Sequence, residues 1–203
     1  MGTILKINNC AAVLLAAGAS SRLGKPKQLL LYKGKTFLQN VLSAAINAQL
    51  DPVIAVLGAE ETIIRKEIGE KNIYNVFNSE WQEGIASSIR CGLQELEKIA
   101  PNADAAILMV CDQPYITSSL LKDLLVTQQQ TGRPIVASHY NGVAGTPALF
   151  HKTIFPELLL LKGDKGAGKI LREKTGQVAT IPFPLGSIDI DTTDNYEKLM
   201  SDI

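Results

Sequence analysis

Between Leu14 and Leu30 an apolar run breaks abruptly into a loop of small, hydroxylated and cationic residues: Leu14-Leu15-Ala16-Ala17-Gly18-Ala19-Ser20-Ser21-Arg22-Leu23-Gly24-Lys25-Pro26-Lys27-Gln28-Leu29-Leu30. The run from Ala11 to Ala17 is short, uniformly apolar and bounded by a turn signal. That pattern predicts a strand buried on both faces, as in a parallel sheet. Gly18, Ser20, Ser21 and Gly24 follow it. Small residues let a backbone approach a bulky anion and aim its N–H groups at it. Arg22 offers a bidentate fork for phosphate, and Lys27 a point charge. Strand, cradle and two kinds of cation predict a polyphosphate site; the simpler reading is a structural glycine turn. Neither G-x-G-x-x-G nor G-x-x-x-x-G-K-[ST] occurs after Gly18.

Charge limits the partners. Lys plus Arg and Asp plus Glu each number 20, so the net charge is zero. A general nucleic-acid binder needs a basic surplus or stripe, so any anion site here is a local concentration of charge. With 203 residues, 46% of them hydrophobic, the chain suits one α/β domain with a substantial core. No apolar run is long enough to span a bilayer, and Met1 to Lys6 do not open a secretory signal. The expectation is therefore a cytoplasmic protein with neither nucleic-acid nor membrane partners. Cys10, Cys91 and Cys111 are far apart, and neither His139 nor His151 has zinc-type spacing to them. They read as reduced thiols.

Helical stripes and apolar runs alternate along the chain. Thr36–Gln49 predicts a helix capped by Thr36, Pro52–Leu57 a strand, Glu60–Ile68 a helix and Tyr74–Phe77 a strand. This β-α-β-α-β order implies a parallel sheet with right-handed crossovers. The expected fold is α/β and Rossmann-like: a mostly parallel twisted sheet flanked by helices, in a single domain over 1–203. Residues of about 11–115 and about 116–203 would form its two halves.

Further along, Ile85, Ile89, Leu93 and Leu96 form a helical stripe that starts at Gly84, after a loop holding the single tryptophan, Trp81. A helix start rich in hydroxyls can face a ligand, while Trp81 reads as an anchor for its loop. The apolar run Ala105–Val110 ends in Cys111-Asp112-Gln113-Pro114. Ligands of open parallel sheets gather beyond the carboxyl ends of the strands. Mg²⁺ needs only one or two carboxylates plus phosphate oxygens, a role Asp112 fits. Its structural alternative is an Asx-turn or helix cap. Thr117–Gln130 predicts a helix capped by Thr117, and Arg133–Ser138 a strand. The glycine-rich segment Gly142–Phe150 predicts a loop or surface hairpin, with Pro147 at an edge or strand start. Leu158–Leu161 and Ala167–Lys174 predict helices. Asp189 and Asp191 alternate with Ile188 and Ile190, which turns both carboxylates to one side of an extended segment.

The motif L-A-A-G-x-S-x-R-L-G-x-x-K-x-L, Leu15 to Leu29, resembles the signature loop of the molybdenum cofactor cytidylyltransferase family. Asn78 to Leu93 resembles the family element N-x-x-W-x-x-G-I-x-x-S-I-x-x-G-L, and Asp112-Gln113-Pro114 its metal-binding turn. The resemblance runs from Ala11 to Tyr196. It implies the fold of nucleotide-diphospho-sugar transferases and transfer of CMP from CTP to molybdopterin carrying molybdenum. It implies a nucleotide site at Leu15, Ala16, Ala17, Gly18, Ser20, Arg22, Lys27, Asn78, Gly84 and Ser88, with Lys27 and Arg22 catalytic. Mg²⁺ would be held by Asp112 and Asp191. Gly145, Pro147, Asp164 and Lys169 fall on the family's acceptor side. Where the family reads G-D-x-G-A-R, this chain has Gly168, with Lys169 following. A molybdenum hydroxylase such as xanthine dehydrogenase would receive the product. Two alternatives stay open: another phosphorylated acceptor, or a non-catalytic carrier of the cofactor. A dinucleotide-dependent oxidoreductase is disfavoured by the missing glycine fingerprint.

Overall fold

The apolar run before the cationic loop forms β1 (Cys10–Leu15), buried along its whole length. The computed structural model describes residues 5–20, 23–69, 72–190 and 192–201. After β1 a small hairpin, β2 (Leu31–Tyr32) and β3 (Lys35–Thr36), leads into α1 (Phe37–Asn47). Then come β4 (Val53–Leu57), α2 (Glu61–Ile68), β5 (Tyr74–Phe77), α3 (Ile85–Ile99), β6 (Ala105–Val110), α4 (Ser118–Thr131) and β7 (Ile135–Tyr140). The chain closes with β8 (Val143–His151), α5 (Phe155–Leu158), α6 (Gly168–Glu173), β9 (Val178–Pro182) and α7 (Thr193–Ser201).

The main sheet runs in the order β5-β4-β1-β6-β8-β7-β9. All neighbours pair in parallel except β8, which is antiparallel to both β6 and β7. Successive residues of a strand point to opposite faces, and the core divides accordingly. Ala12 and Leu14 join Leu38, Leu42, Ile64 and Leu121 on one face. Val13 and Leu15 join Ile89, Leu93 and Ile170 on the other. Both faces of β1 are thus covered by helices, which is why its sequence shows no polar alternation.

Three caps follow from threonine hydroxyls. Thr36 accepts from the Gln39 amide while the Gln39 side chain accepts from the Thr36 amide, a reciprocal capping box. Thr117 and Thr192 accept from the amides of Leu120 and Asn195.

Three elements differ from the sequence expectation. Gly142–Phe150 is not a surface loop: most of it is the nine-residue strand β8, which forms a hairpin with β7 through Asn141 and Gly142 and is inserted between β6 and β7. Pro147 is tolerated there because the register shifts. Ala137 pairs with Ala148 but Ser138 with Gly145, which leaves Thr146 and Pro147 in a bulge. The Ser138 hydroxyl donates to the Pro147 carbonyl at 2.8 Å. Secondly, β9 extends the sheet where no strand is expected; its half-exposed Val178 and Ala179 give little periodic signal. Thirdly, the leucine run Leu158–Leu161 contributes only its first residue to α5, and Leu160 is 77% exposed.

The topology creates one crevice. From β1 the chain winds outward to β4 and β5, then returns to lay β6 on the other side of β1. The carboxyl ends of β1 and β6, at the paired residues Leu15 and Val110, mark the switch point. Open α/β sheets bind ligands at such a point.

Candidate active site

Beyond Leu15 the backbone is held so that its carbonyls face the protein. The Gln28 side-chain amide donates to Ala16 O at 2.8 Å and Gly18 O at 3.0 Å. Between them, Ala17 O accepts from the Ala59 amide at 3.0 Å. Three consecutive carbonyls are therefore engaged. Among the described residues, the amides of Ala17, Gly18 and Ala19 have no hydrogen-bond partner in the chain. These three residues line a cavity of about 350 Å³. A row of N–H groups beside a cavity is an anion cradle. Ser20, at φ 53°, ends it and accepts from the Lys27 amide at 3.0 Å. Gly58 makes room for the turn: a Cβ there would stand 2.7 Å from both Ala17 O and the Trp81 Cβ.

The same cavity is lined by Lys27, Trp81, Gly84, Ser88, Asp112 and Asp164. Lys27 reaches Asp112, with Nζ 2.5 Å from Oδ2 and each side chain about one-fifth exposed. Asp112 also lines a second cavity of about 360 Å³, with Gln113, Tyr140, Thr146, Ser187 and Asp189. The carboxylate of Asp112 thus stands where two cavities meet. Beside it, burial pushes the Cys111 thiol up, with the Asp112 charge adding to the effect, so it is no nucleophile. Among the described residues no three His, Cys, Asp or Glu cluster to hold a metal. One or two carboxylates completed by phosphate oxygens and water is the donor set Mg²⁺ accepts. Asp112, with Asp189 in the shared second cavity, fits it.

A latch secures the far wall. Glu83 accepts from the Gly163 amide at 3.0 Å and from Arg90 at 2.9 and 2.5 Å. Arg90 also donates to Leu161 O at 2.8 Å, and the Ala86 amide to Gly163 O at 3.1 Å. The Arg90 guanidinium and then the Gly163 amide hold the Glu83 carboxyl down to about 2. The loop carrying Asp164 is thereby pinned against the start of α3. Gly84, at φ 119°, allows this approach: a Cβ would meet the Gly163 carbonyl at 2.7 Å.

The residues singled out in the sequence are therefore distributed unevenly. Leu15, Ala17, Gly18, Lys27, Gly84, Ser88 and Asp112 share the first cavity. Ala16 and Ser20 shape its loop. Asn78 is buried behind the wall and donates to the hydroxyls of Ser87 and Ser88 at 2.8 and 3.1 Å. Trp81 lines the cavity rather than joining a core cluster, because a short turn at 81–83 lifts it over Gly58. Asp164, expected on the acceptor side, lines the first cavity instead, drawn there by the latch. Thr146, between Gly145 and Pro147, lines the second cavity. Gly145 itself is the seat of the Tyr140 ring, whose Cε1 would be 3.2 Å from a Cβ there. Lys169 lines neither cavity and lies 3.8 Å from Glu173 on its own helix. Beside Gly168, a Cβ would stand 3.4 Å from the Arg172 guanidinium. Arg22 and Asp191 lie outside the described residues.

Sequence reading missed Gln28, Gln113 and the Glu83–Arg90 latch. Gln113 is buried and donates to Gly186 O at 2.8 Å and the Tyr140 hydroxyl at 3.3 Å. Only the position of Gln28 directly after Lys27 hinted at a role; the other partners are distant in sequence.

Known proteins resemble this chain in sequence and in fold. The chain is 28% identical over 200 residues to purine catabolism protein PucB of Bacillus subtilis, covering 92% of this chain and 94% of PucB. It is 29% identical to nicotine blue oxidoreductase of Paenarthrobacter nicotinovorans, covering 93% and 95%. Its structure matches Rv0371c of Mycobacterium tuberculosis with a TM-score of 0.83 and 31% identity, over 97% of this chain and all of that one. Rv0371c has also been crystallised in complex with manganese. The family model for the MobA-like NTP transferase domain matches residues 12–178. The chain, with its cradle after β1 and its acid after β6, belongs to the MobA-like NTP transferases.

Proposed function

We propose that this nucleotidyltransferase moves CMP from CTP to the phosphate of a molybdopterin-type cofactor, releasing pyrophosphate. One observation carries the reading: the Lys27 ammonium and Asp112 carboxylate lie 2.5 Å apart where the two cavities meet. In the first cavity the triphosphate rests on the amides of Ala17 to Ala19, and the acceptor enters the second. An oxygen of the acceptor phosphate attacks the α-phosphorus, and the bond to the bridging α–β oxygen breaks. The attacking oxygen is already anionic, so the protein's task is alignment and neutralisation of charge rather than proton removal. Lys27 turns from its carboxylate to the α-phosphate. Mg²⁺, held by Asp112, would neutralise charge on the phosphates. Arg22 is proposed to hold the leaving diphosphate, and Asp191 to be a second metal ligand.

The proposed pyrimidine base rests on the residue at position 17. Ala17 is 4% exposed and its methyl projects towards Gly58. The guanylyl branch of the family that this loop resembles usually reads L-A-G-G where this chain has Leu15-Ala16-Ala17-Gly18, and the methyl of Ala17, which a glycine lacks, suits the smaller pyrimidine. Manganese in Rv0371c supports a divalent ion. The name of PucB assigns that relative to purine catabolism, which suits a product destined for a hydroxylase such as xanthine dehydrogenase. The name of the second relative, nicotine blue oxidoreductase, favours a competing reading, an oxidoreductase.

Trp81, the single tryptophan, lines the first cavity and reports on its occupancy. Its fluorescence should respond to CTP with Mg²⁺ at lower concentration than to GTP, ATP, UTP or NADPH. A preference for GTP overturns the cytidylyl assignment; a preference for NADPH overturns the transferase reading. Pyrophosphate release on adding molybdopterin, and none with sugar or alditol phosphates, separates the acceptors.

A further inference from the structure

We infer that Gln28 is the residue that orients the nucleotide cradle: its side-chain amide turns two loop carbonyls inward and so leaves the amides between and after them facing the cavity. The inference rests on the reading of the first cavity as a triphosphate site.

A peptide unit presents its C=O and N–H on opposite sides, so the direction of a carbonyl fixes that of the next amide. Ala16 O and Gly18 O both accept from Gln28 Nε2, at 2.8 and 3.0 Å. The amides that follow these carbonyls belong to Ala17 and Ala19, and both residues line the first cavity. Gln28 is 1% exposed, so its two N–H donors have no solvent to turn to. Its oxygen accepts from the Ser20 hydroxyl at 3.5 Å, and that hydroxyl accepts from the Lys27 amide at 3.0 Å. One side chain therefore ties together the cradle and the backbone of the cation beside it. A glutamine is needed: only an amide offers two donors and an acceptor in one plane. Glutamate has the same shape, but its carboxylate accepts only and would face two carbonyl oxygens. Methionine has a similar length and no strong donor.

Gln28 touches neither reacting group in this arrangement, so it is a positioning residue. The test uses the full chain, with Trp81 fluorescence for Mg²⁺-CTP affinity and a melting curve to establish that each variant is folded at the temperature of the titration. Gln28→Met should raise the Kd for Mg²⁺-CTP by about 10- to 100-fold, the scale of losing one backbone hydrogen bond to a charged phosphate. Gln28→Glu should bind weakly at pH 8 and regain affinity as the pH falls towards 6, because the protonated acid recovers one donor. The wild type should show no such gain. A purely structural role predicts a lowered melting temperature with unchanged Kd and no inverted pH profile. A folded Gln28→Met variant within two-fold of the wild type, or a Gln28→Glu variant with the wild-type pH profile, overturns the inference. A wild type that prefers GTP removes only the cytidylyl assignment, and the same measurements are then made with GTP. A wild type that binds no triphosphate removes the transferase reading and this inference with it.

Discussion

At position 27 the chain places a lysine directly against the carboxylate that follows β6, and each is only about one-fifth exposed. Partly buried ion pairs add little net stability, because desolvation offsets much of the attraction. The pair is better understood as two groups stored beside the positions where phosphate and metal charge arrive. Lys27→Ala should therefore lower turnover by about 100- to 1,000-fold, the loss typical of one electrostatic donor to a developing charge. Asp112→Ala should abolish divalent-dependent turnover. Circular dichroism and melting curves should show both variants folded, since the pair lies at the cavity and not among the clustered side chains of either core face. Activity retained in either variant removes that residue from the site.

Among the elements, α3 matters most. Its first turn lines the first cavity, and Glu83 and Arg90 fasten the 161–164 loop to it. The folded-state pKa of Glu83 is depressed to about 2 from 4.5. A depressed carboxyl contributes stability that is complete above its unfolded value and disappears as pH falls through its folded value. Glu83→Gln should thus be less stable than the wild type at neutral pH, and urea midpoints of the two should converge between about pH 4.5 and 2. A gap that persists through this window would mean that the charge of Glu83 does not fasten the loop. Helix α3 also shows how closely a helix can lie on a sheet. Gly92 faces β1 and β4, where a Cβ would stand 2.5 Å from Val13 Cγ1 and 3.0 Å from Val56 Cγ2.

Across the whole molecule, charge is balanced while the site is not uniform. Cradle amides and Lys27 bring positive charge to the first cavity, and Asp112, paired with Lys27, and Asp164 line it as well. The described residues hold no three-ligand metal cluster, and both core faces are filled by apolar side chains. Apolar burial on both faces supplies the stability of the fold. EDTA should leave the melting temperature unchanged and abolish nucleotide transfer, with Mg²⁺ restoring it. A large fall in melting temperature with EDTA would instead show a structural ion. No described helix is long and apolar enough to cross a membrane.

Elements whose signals are local are legible in the residues alone. The buried strand before the loop, the caps at Thr36 and Thr117 and the stripe of α3 depend on neighbours within a few residues, so spacing alone reveals them. The cradle was legible for the same reason: glycine, hydroxyls and lysine occur together in one short stretch. Tertiary structure alone decided that β8 enters the sheet, because the bulge that admits Pro147 needs β7 beside it. It also set Asp164 in the wall of the first cavity, since the Glu83–Arg90 latch joins segments about 80 residues apart. Gln28 lay in plain view within the motif, yet its role depends on which way two carbonyls turn, and a side chain's partners are set by packing rather than by spacing.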